Sequence, residues 1–167
     1  MWPEPVQRVA DFLLAAGAEA RLEEFAGGTP TAEDAAEAAG ADLAQIVKSM
    51  VFDCDGVPVV VLVPGDRRAD AKKVAAAVGK ARARIAKPDQ VVRATGFEPG
   101  AVAPFPLPAI DHVLIDQTLL AHEYVWIGAG SPNHLARLRP TDLAQLAKAR
   151  QMDAVVESKY HSGDVQR

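Results

Sequence analysis

Two apolar, β-branched runs, residues 45–52 and 57–63, are joined by Asp53-Cys54-Asp55-Gly56. Asp-Gly is a strong tight-turn signal, so the pair specifies a β-hairpin. The second run is also the longest apolar stretch in the chain. It is interrupted by Pro58 and falls far short of the roughly 20 residues a membrane-spanning helix needs.

Around the hairpin the periodicity changes. Val6, Val9, Ala10, Leu13 and Leu14 recur at helical spacing, predicting an amphipathic helix that ends near Gly17. Residues 20–25 read as a short strand. Thr31 with Asp34 resembles an N-cap arrangement, and the Ala-rich residues 32–39 then stop at Gly40. After the hairpin, Pro64-Gly65-Asp66 breaks the chain, and Ala71, Val74, Ala75 and Val78 predict a helix closed by Gly79, with Lys72 and Lys73 off its apolar stripe. A short basic strand is expected at 81–86 and a helix from Pro88 through Arg93. Residues 95–108 hold two Gly and four Pro, too many for regular structure, and predict a loop. Strand signals return at 112–116, 123–127 and 134–138, and Pro140 opens a last helix.

A chain of 167 residues, 49% hydrophobic but only 5% aromatic, fits one domain with an aliphatic core. Residues 1–152 are read as that domain, of α/β (α+β) class, and residues 153–167 as a frayed C-terminal tail. Glu4 and Asp11 interrupt what would otherwise imitate a secretory signal, and a single cysteine allows no internal disulfide, so the expected location is cytoplasmic.

The net charge of -4 argues against bulk nucleic-acid binding, but the charge is unevenly spread. Residues 67–87 carry eight basic side chains (Arg67, Arg68, Lys72, Lys73, Lys80, Arg82, Arg84, Lys87) against one acid, Asp70. Such a segment attracts phosphates locally, or is simply a solvated face. Cys54 is a poor nucleophile because Asp53 and Asp55 oppose its thiolate. No Gly-x-Ser-x-Gly motif and no closely spaced His and Cys ligands occur, so neither a serine hydrolase nor a zinc site is expected. Gly128-Ala129-Gly130 follows a strand, but Asn133 replaces the third glycine of a dinucleotide fingerprint. What remains is a bend whose backbone can approach a ligand, or a hairpin corner. Lys48 stands inside Ile46-Val47-Lys48-Ser49-Met50-Val51-Phe52 and by alternation shares a face with Ile46, Met50 and Phe52. A lysine so placed is either carried out to water or paired with a ligand.

Taken in order, these segments resemble the YbaK-type aminoacyl-tRNA deacylase family, the YbaK/prolyl-tRNA synthetase-associated editing domain. The likeness runs over residues 31–146. It rests on Thr31-Ala32-Glu33-Asp34-Ala35-Ala36, the lysine strand, Leu62-Val63-Pro64-Gly65-Asp66, Thr95-Gly96-Phe97-Glu98-Pro99-Gly100-Ala101, Val113-Leu114-Ile115-Asp116, and Val125-Trp126-Ile127-Gly128-Ala129-Gly130-Ser131-Pro132. The resemblance implies a mixed, mostly antiparallel, barrel-like sheet surrounded by helices. It implies hydrolysis of the ester of a mischarged tRNA, most often a small amino acid on tRNA(Pro), without metal or cofactor. Lys48, Gly100 and Gly128 match the family's catalytic positions, and Ala101, Ala129, Gly130, Ser131 and His134 fall on substrate-binding loops. Arg67, Arg68, Lys72 and Lys73 are then the expected tRNA contacts. The implied partners are tRNA and prolyl-tRNA synthetase, not DNA or a membrane. Ala101 and Pro106 stand where relatives often carry glycine, which bears on substrate identity. A non-catalytic binding module of this fold and a small-ester hydrolase are the rival readings.

Overall fold

The computed structural model describes residues 2–157. Five helices, α1 (Glu4–Ala15), α2 (Ala32–Ala39), α3 (Ala71–Ala77), α4 (Pro88–Thr95) and α5 (Pro140–Leu146), surround eight strands. The strands are β1 (Arg21–Glu24), β2 (Ile46–Cys54), β3 (Val57–Pro64), β4 (Arg84–Ile85), β5 (His112–Asp116), β6 (Val125–Gly128), β7 (His134–Leu138) and β8 (Arg150–Met152). They form one mixed, mostly antiparallel sheet in the order β1-β7-β6-β2-β3-β5-β8, with β4 attached to β2. The sheet is open: β1 and β8 are its ends.

Local chemistry sets most boundaries. Thr31 accepts a hydrogen bond from the Asp34 N–H and starts α2, while Gly40 ends it at φ +66°. Asp70 caps α3 by accepting from the N–H groups of Lys72 and Lys73. The hairpin pairs Val47 with Pro64 through Cys54 with Val57. Its turn puts Asp55 and Gly56 at positive φ, and the Gly56 N–H donates to the Asp53 side chain.

Strand alternation divides the core. Val47, Val51, Val60, Leu62, Ile115, Ile127 and Ala136 face a cluster closed by Val9 and Leu13 of α1 and Leu143 of α5. Phe97, Val102, Ala103 and Phe105 from the 95–108 loop join it, so this loop is ordered and half of it is core. On the other face Phe52, Val59, Val61, Val63 and Leu114 pack under Val74 of α3, and Ile46, Trp126 and Leu135 pack under Ala35 and Ala36 of α2.

Two expectations need correcting. The basic strand at 81–86 is only the two residues of β4, because the N–H groups of Ala81 and Arg82 turn to the Asp55 carboxylate instead of a neighbouring strand. The chain beyond Met152 is not frayed as far as it is described. Ala154 and Val155 are buried, the Ala154 N–H donates to Asp116 at 2.8 Å, and Ala69 bridges Val155. The remainder of that tail, from residue 158, lies outside the described residues.

Candidate functional site

Strand β2 is paired with β3 along nearly its whole length, but its other edge is shared. β6 covers only Ile46 and Val47, and β4 only Phe52 and Asp53. Between them the sheet has a gap. The Val51 carbonyl accepts from the Ala86 N–H, and backbone groups alternate sides along a strand, so Ser49, two residues earlier, turns its N–H and C=O into this gap. A pocket of about 350 Å³ opens there. Its walls come from Thr31 and Ala35 at α2, Lys48 to Val51 of β2, Ile85 beside β4, the 99–102 loop segment, and Gly128, Ser131 and Leu135.

Lys48 lies on the same face as Ile46 and Met50, and its Nζ donates to the Arg67 carbonyl at 2.8 Å. Burial holds its pKa below the ordinary lysine value of 10.5, while Glu33 and Asp66 oppose that shift. An ammonium has three donors, and one is committed to Arg67. Ser49 was not singled out from the sequence. Its Oγ is buried without a hydrogen-bond partner among the described residues, and the residue lines the same pocket. The available signal was a second polar residue, next to Lys48, inside an apolar run.

Of the anticipated site residues, the structure brings Lys48, Gly100, Ala101, Gly128 and Ser131 together on this pocket. Gly100 has φ +83° and is exposed at the rim. The Ala101 N–H is used within the loop, donating to the Glu98 carbonyl at 2.9 Å. The Ala129 N–H donates to the His134 carbonyl, so its neighbour Gly128 turns its backbone groups away from β7 and toward β2.

Ala129, Gly130 and His134 do not line the pocket. Ala129 is in the core. Gly130 has φ +103°, and a Cβ on it would stand 2.8 Å from the Pro5 carbonyl oxygen, so it is glycine because the start of α1 rests on it. His134 is 3% exposed, hydrogen-bonds Ser131 Oγ through Nδ1, and meets the Trp2 ring edge-on at 5.3 Å. These three residues build the corner that holds Ser131. Cys54 is buried, and burial, with Asp53 and Asp55, pushes its thiol pKa up. Among the described residues no three His, Cys, Asp or Glu side chains gather as a metal site.

The expected tRNA contacts separate into two kinds. Arg68 and Lys72 are exposed. Arg67 donates through Nη2 to the Val156 carbonyl, and Lys73 donates to both Asp153 and the Val155 carbonyl at 2.8 Å. The hydrogen bond to Asp153 raises the Lys73 pKa and lowers that of Asp153. Arg67 and Lys73 therefore hold down the chain end. That segment in turn braces the loop whose Arg67 carbonyl anchors Lys48.

The sequence model described as "Aminoacyl-tRNA editing domain" matches residues 26–146. The uncharacterized protein YwhH of Bacillus subtilis (strain 168) is 35% identical over 127 residues, covering 75% of this chain and 80% of that protein. The proline--tRNA ligase of Desulfotalea psychrophila is 32% identical over 112 residues, 65% of this chain but only 19% of the ligase, so the chain spans about a fifth of such an enzyme. Among solved structures, a "Crystal structure of a putative trans-editing enzyme for prolyl tRNA synthetase" superposes with a TM-score of 0.87 at 33% identity, covering 94% of this chain and all of that one. With the pocket at the sheet gap and the lysine strand beneath it, these matches establish that the chain belongs to the aminoacyl-tRNA editing domain family and is related to prolyl-tRNA synthetase trans-editors.

Proposed function

We propose that the protein is a trans-acting deacylase that hydrolyses the ester of a mischarged tRNA, with a small amino acid on tRNA(Pro) as its substrate, in the cytoplasm where aminoacyl-tRNA is used. The observation that carries this reading is the placement of Lys48. Lys48 lines a pocket together with the two glycine-bearing segments around Gly100 and Gly128, and its amine is fixed by the Arg67 carbonyl.

The pocket is at the small end of the range for ligand sites, which suits an amino acid with part of its ribose. Discrimination by size alone is worth about 1–3 kcal/mol per methylene, so Ala, Ser, Thr and Cys are the class addressed. In the reaction a water oxygen, oriented by the substrate's own ribose hydroxyl, adds to the ester carbonyl carbon. The carbonyl electron pair moves onto oxygen, and the oxyanion collapses by expelling the ribose oxygen, which takes up a proton. Free amino acid and free tRNA leave. The two Lys48 N–H groups not engaged by Arg67, with the Ser49 edge and the Gly128 turn, supply donors aimed at the developing charge. Arg68 and Lys72 supplement this with exposed positive charge for the RNA backbone, giving salt-sensitive binding.

The test is hydrolysis of Ala-, Ser-, Thr- and Cys-tRNA(Pro) by the wild-type chain and by Lys48→Ala, with thermal melting of both. At least one substrate should be cleaved, and the folded Lys48→Ala protein should lose 100-fold or more of that rate. Near-normal turnover by a folded Lys48→Ala variant refutes the assignment of Lys48, and no cleavage of any substrate by the wild type favours a binding module.

A further inference from the structure

Ile85 is 57% exposed although it lies on the wall of the pocket. Other large apolar side chains are exposed among the described residues, but Leu14, Val92 and Val156 do not reach this pocket. Ile85 pairs with Phe52 and so projects from the same face of the sheet as Lys48 and Met50. Phe52 lies four residue steps along β2 from Lys48, about 13 Å at the usual strand rise. A stacked nucleic-acid strand rises about 3.4 Å per nucleotide, so Ile85 lies within reach of the last four nucleotides of an RNA whose end sits at Lys48.

The charge around Ile85 agrees. Arg82, Arg84 and Lys87 are exposed on either side of it. Arg84 pairs with Asp53 at 3.6 Å, with its side chain 78% exposed. The acids nearby are already engaged, Asp55 by the N–H groups of Ala81 and Arg82 and Asp53 by Gly56 and Gln90. At the other end of the basic stretch, Arg67 and Lys73 are spent on the C-terminal segment. Arg68 and Lys72 also remain exposed, but among the exposed cations Arg82, Arg84 and Lys87 are the ones that flank Ile85 in sequence.

We propose that residues 82–87 form a binding site for the single-stranded nucleotides that precede the aminoacylated 3′ nucleotide. A base packs on Ile85, and phosphodiesters are drawn by Arg82, Arg84 and Lys87. The proposal rests on the editing reading for the identity of the RNA. Aliphatic packing gives less than the aromatic platforms usual in single-strand binding, so the cations dominate and the interaction weakens with salt.

The experiment measures anisotropy of a labelled, uncharged single-stranded RNA ending in CCA, titrated with the full chain across a salt series. The variants are Ile85→Ser and the triple change Arg82→Glu, Arg84→Glu, Lys87→Glu. The wild type should bind, the triple variant should bind at least 10-fold more weakly with a flatter salt slope, and Ile85→Ser should weaken binding about threefold at every salt concentration. A wild type that does not bind, or a triple variant with unchanged affinity and slope, overturns the site. Hydrolysis of aminoacyl-tRNA and of aminoacyl-adenosine is followed in parallel. The triple variant should raise KM for the tRNA and leave aminoacyl-adenosine hydrolysis unchanged. Failure of the wild type to hydrolyse either substrate counts against the editing reading alone, since the anisotropy result stands without catalysis.

Discussion

Gly128 and Gly130 are two residues apart in one bend, yet the first lines the pocket and the second packs against the start of α1, and Ala substitution at each separates the two positions. At Gly130 an alanine would adopt φ +103°, which costs an L-residue about 1–2 kcal/mol. Its Cβ would also stand 2.8 Å from the Pro5 oxygen and 2.9 Å from the Pro5 carbonyl carbon. Both are backbone atoms, so relief requires moving the start of α1, a strain of about 1–3 kcal/mol. Gly130→Ala should therefore lose about 3 kcal/mol, a drop in Tm of roughly 6–12 °C for a domain of this size. Its kcat at a temperature where it is folded should stay within about threefold of wild type, because the residue does not line the pocket. At Gly128 the nearest atom to a new Cβ is the Val102 oxygen at 3.5 Å, ordinary contact, and φ is not in the left-handed region. Gly128→Ala should melt at or slightly above the wild-type temperature. Its methyl, however, projects to the pocket side, since Ile127 and Ala129 on either side face the core. Deacylation should fall 10-fold or more. Thermal melts with single-turnover deacylation decide the matter. A Gly130→Ala protein that melts like wild type but loses activity would show that the bend contacts substrate at Gly130, and the assignment of its role to α1 packing would be wrong.

Burial lowers the Lys48 pKa, so between that lowered value and 10.5 the unfolded chain binds the extra proton and this residue's contribution makes stability rise with pH. Lys48→Met removes the contribution, and its stability difference from wild type, measured by urea unfolding, should change steadily in favour of the wild type from neutral pH toward 10.5; a difference that is flat or runs the other way refutes the burial argument. Asp116 is fully buried and accepts from the Ala154 N–H, the Thr118 N–H and the Thr118 hydroxyl. Asp116→Ala leaves the Ala154 N–H without a partner, at about 1–3 kcal/mol, and should expose the amides of residues 154–156 to hydrogen exchange well before the hairpin opens. Unchanged protection there would mean that the segment is held by its other contacts alone.

Elements built from neighbouring residues were legible in the sequence. The hairpin needs only two β-branched runs and Asp-Gly, and α2 needs Thr31, a run of alanines and Gly40. Lys48 was legible as a charge in an apolar run, and in the structure Lys48, Ser49 and Met50 are the half-buried middle of that strand. What failed to show was whatever depends on a distant partner. β8, Arg150-Gln151-Met152, has no apolar alternation and exists because β5 offers it an edge. The loop at 95–108 reads as irregular, and its order comes from Phe97 and Phe105 entering a core made by other elements. Gly130 and His134 carried the composition of a ligand loop, but the atoms they meet belong to Pro5 and Trp2 at the other end of the chain. Arg67 and Lys73 were indistinguishable from Arg68 and Lys72 until Asp153, Val155 and Val156 were placed beside them.

The same distant contacts explain how a lysine is kept in place at a break in a sheet. An unpaired strand edge normally invites another strand, and here the gap is confined between two short partners and bordered by α2 and the 99–102 segment. Beside it, among the described residues, the Lys48 amine has no carboxylate at hydrogen-bond distance and takes a backbone carbonyl instead. A carboxylate partner would neutralise the charge that the proposed reaction uses, whereas a carbonyl fixes the direction of Nζ and leaves the charge intact. That carbonyl is only as fixed as its loop, and the loop is tied by the Asp70 N–H to the Ala154 carbonyl and by the Val156 N–H to the Arg68 carbonyl. The contribution of residues 154–156 to the site is therefore geometric: loosening them should lower kcat through the orientation of Lys48.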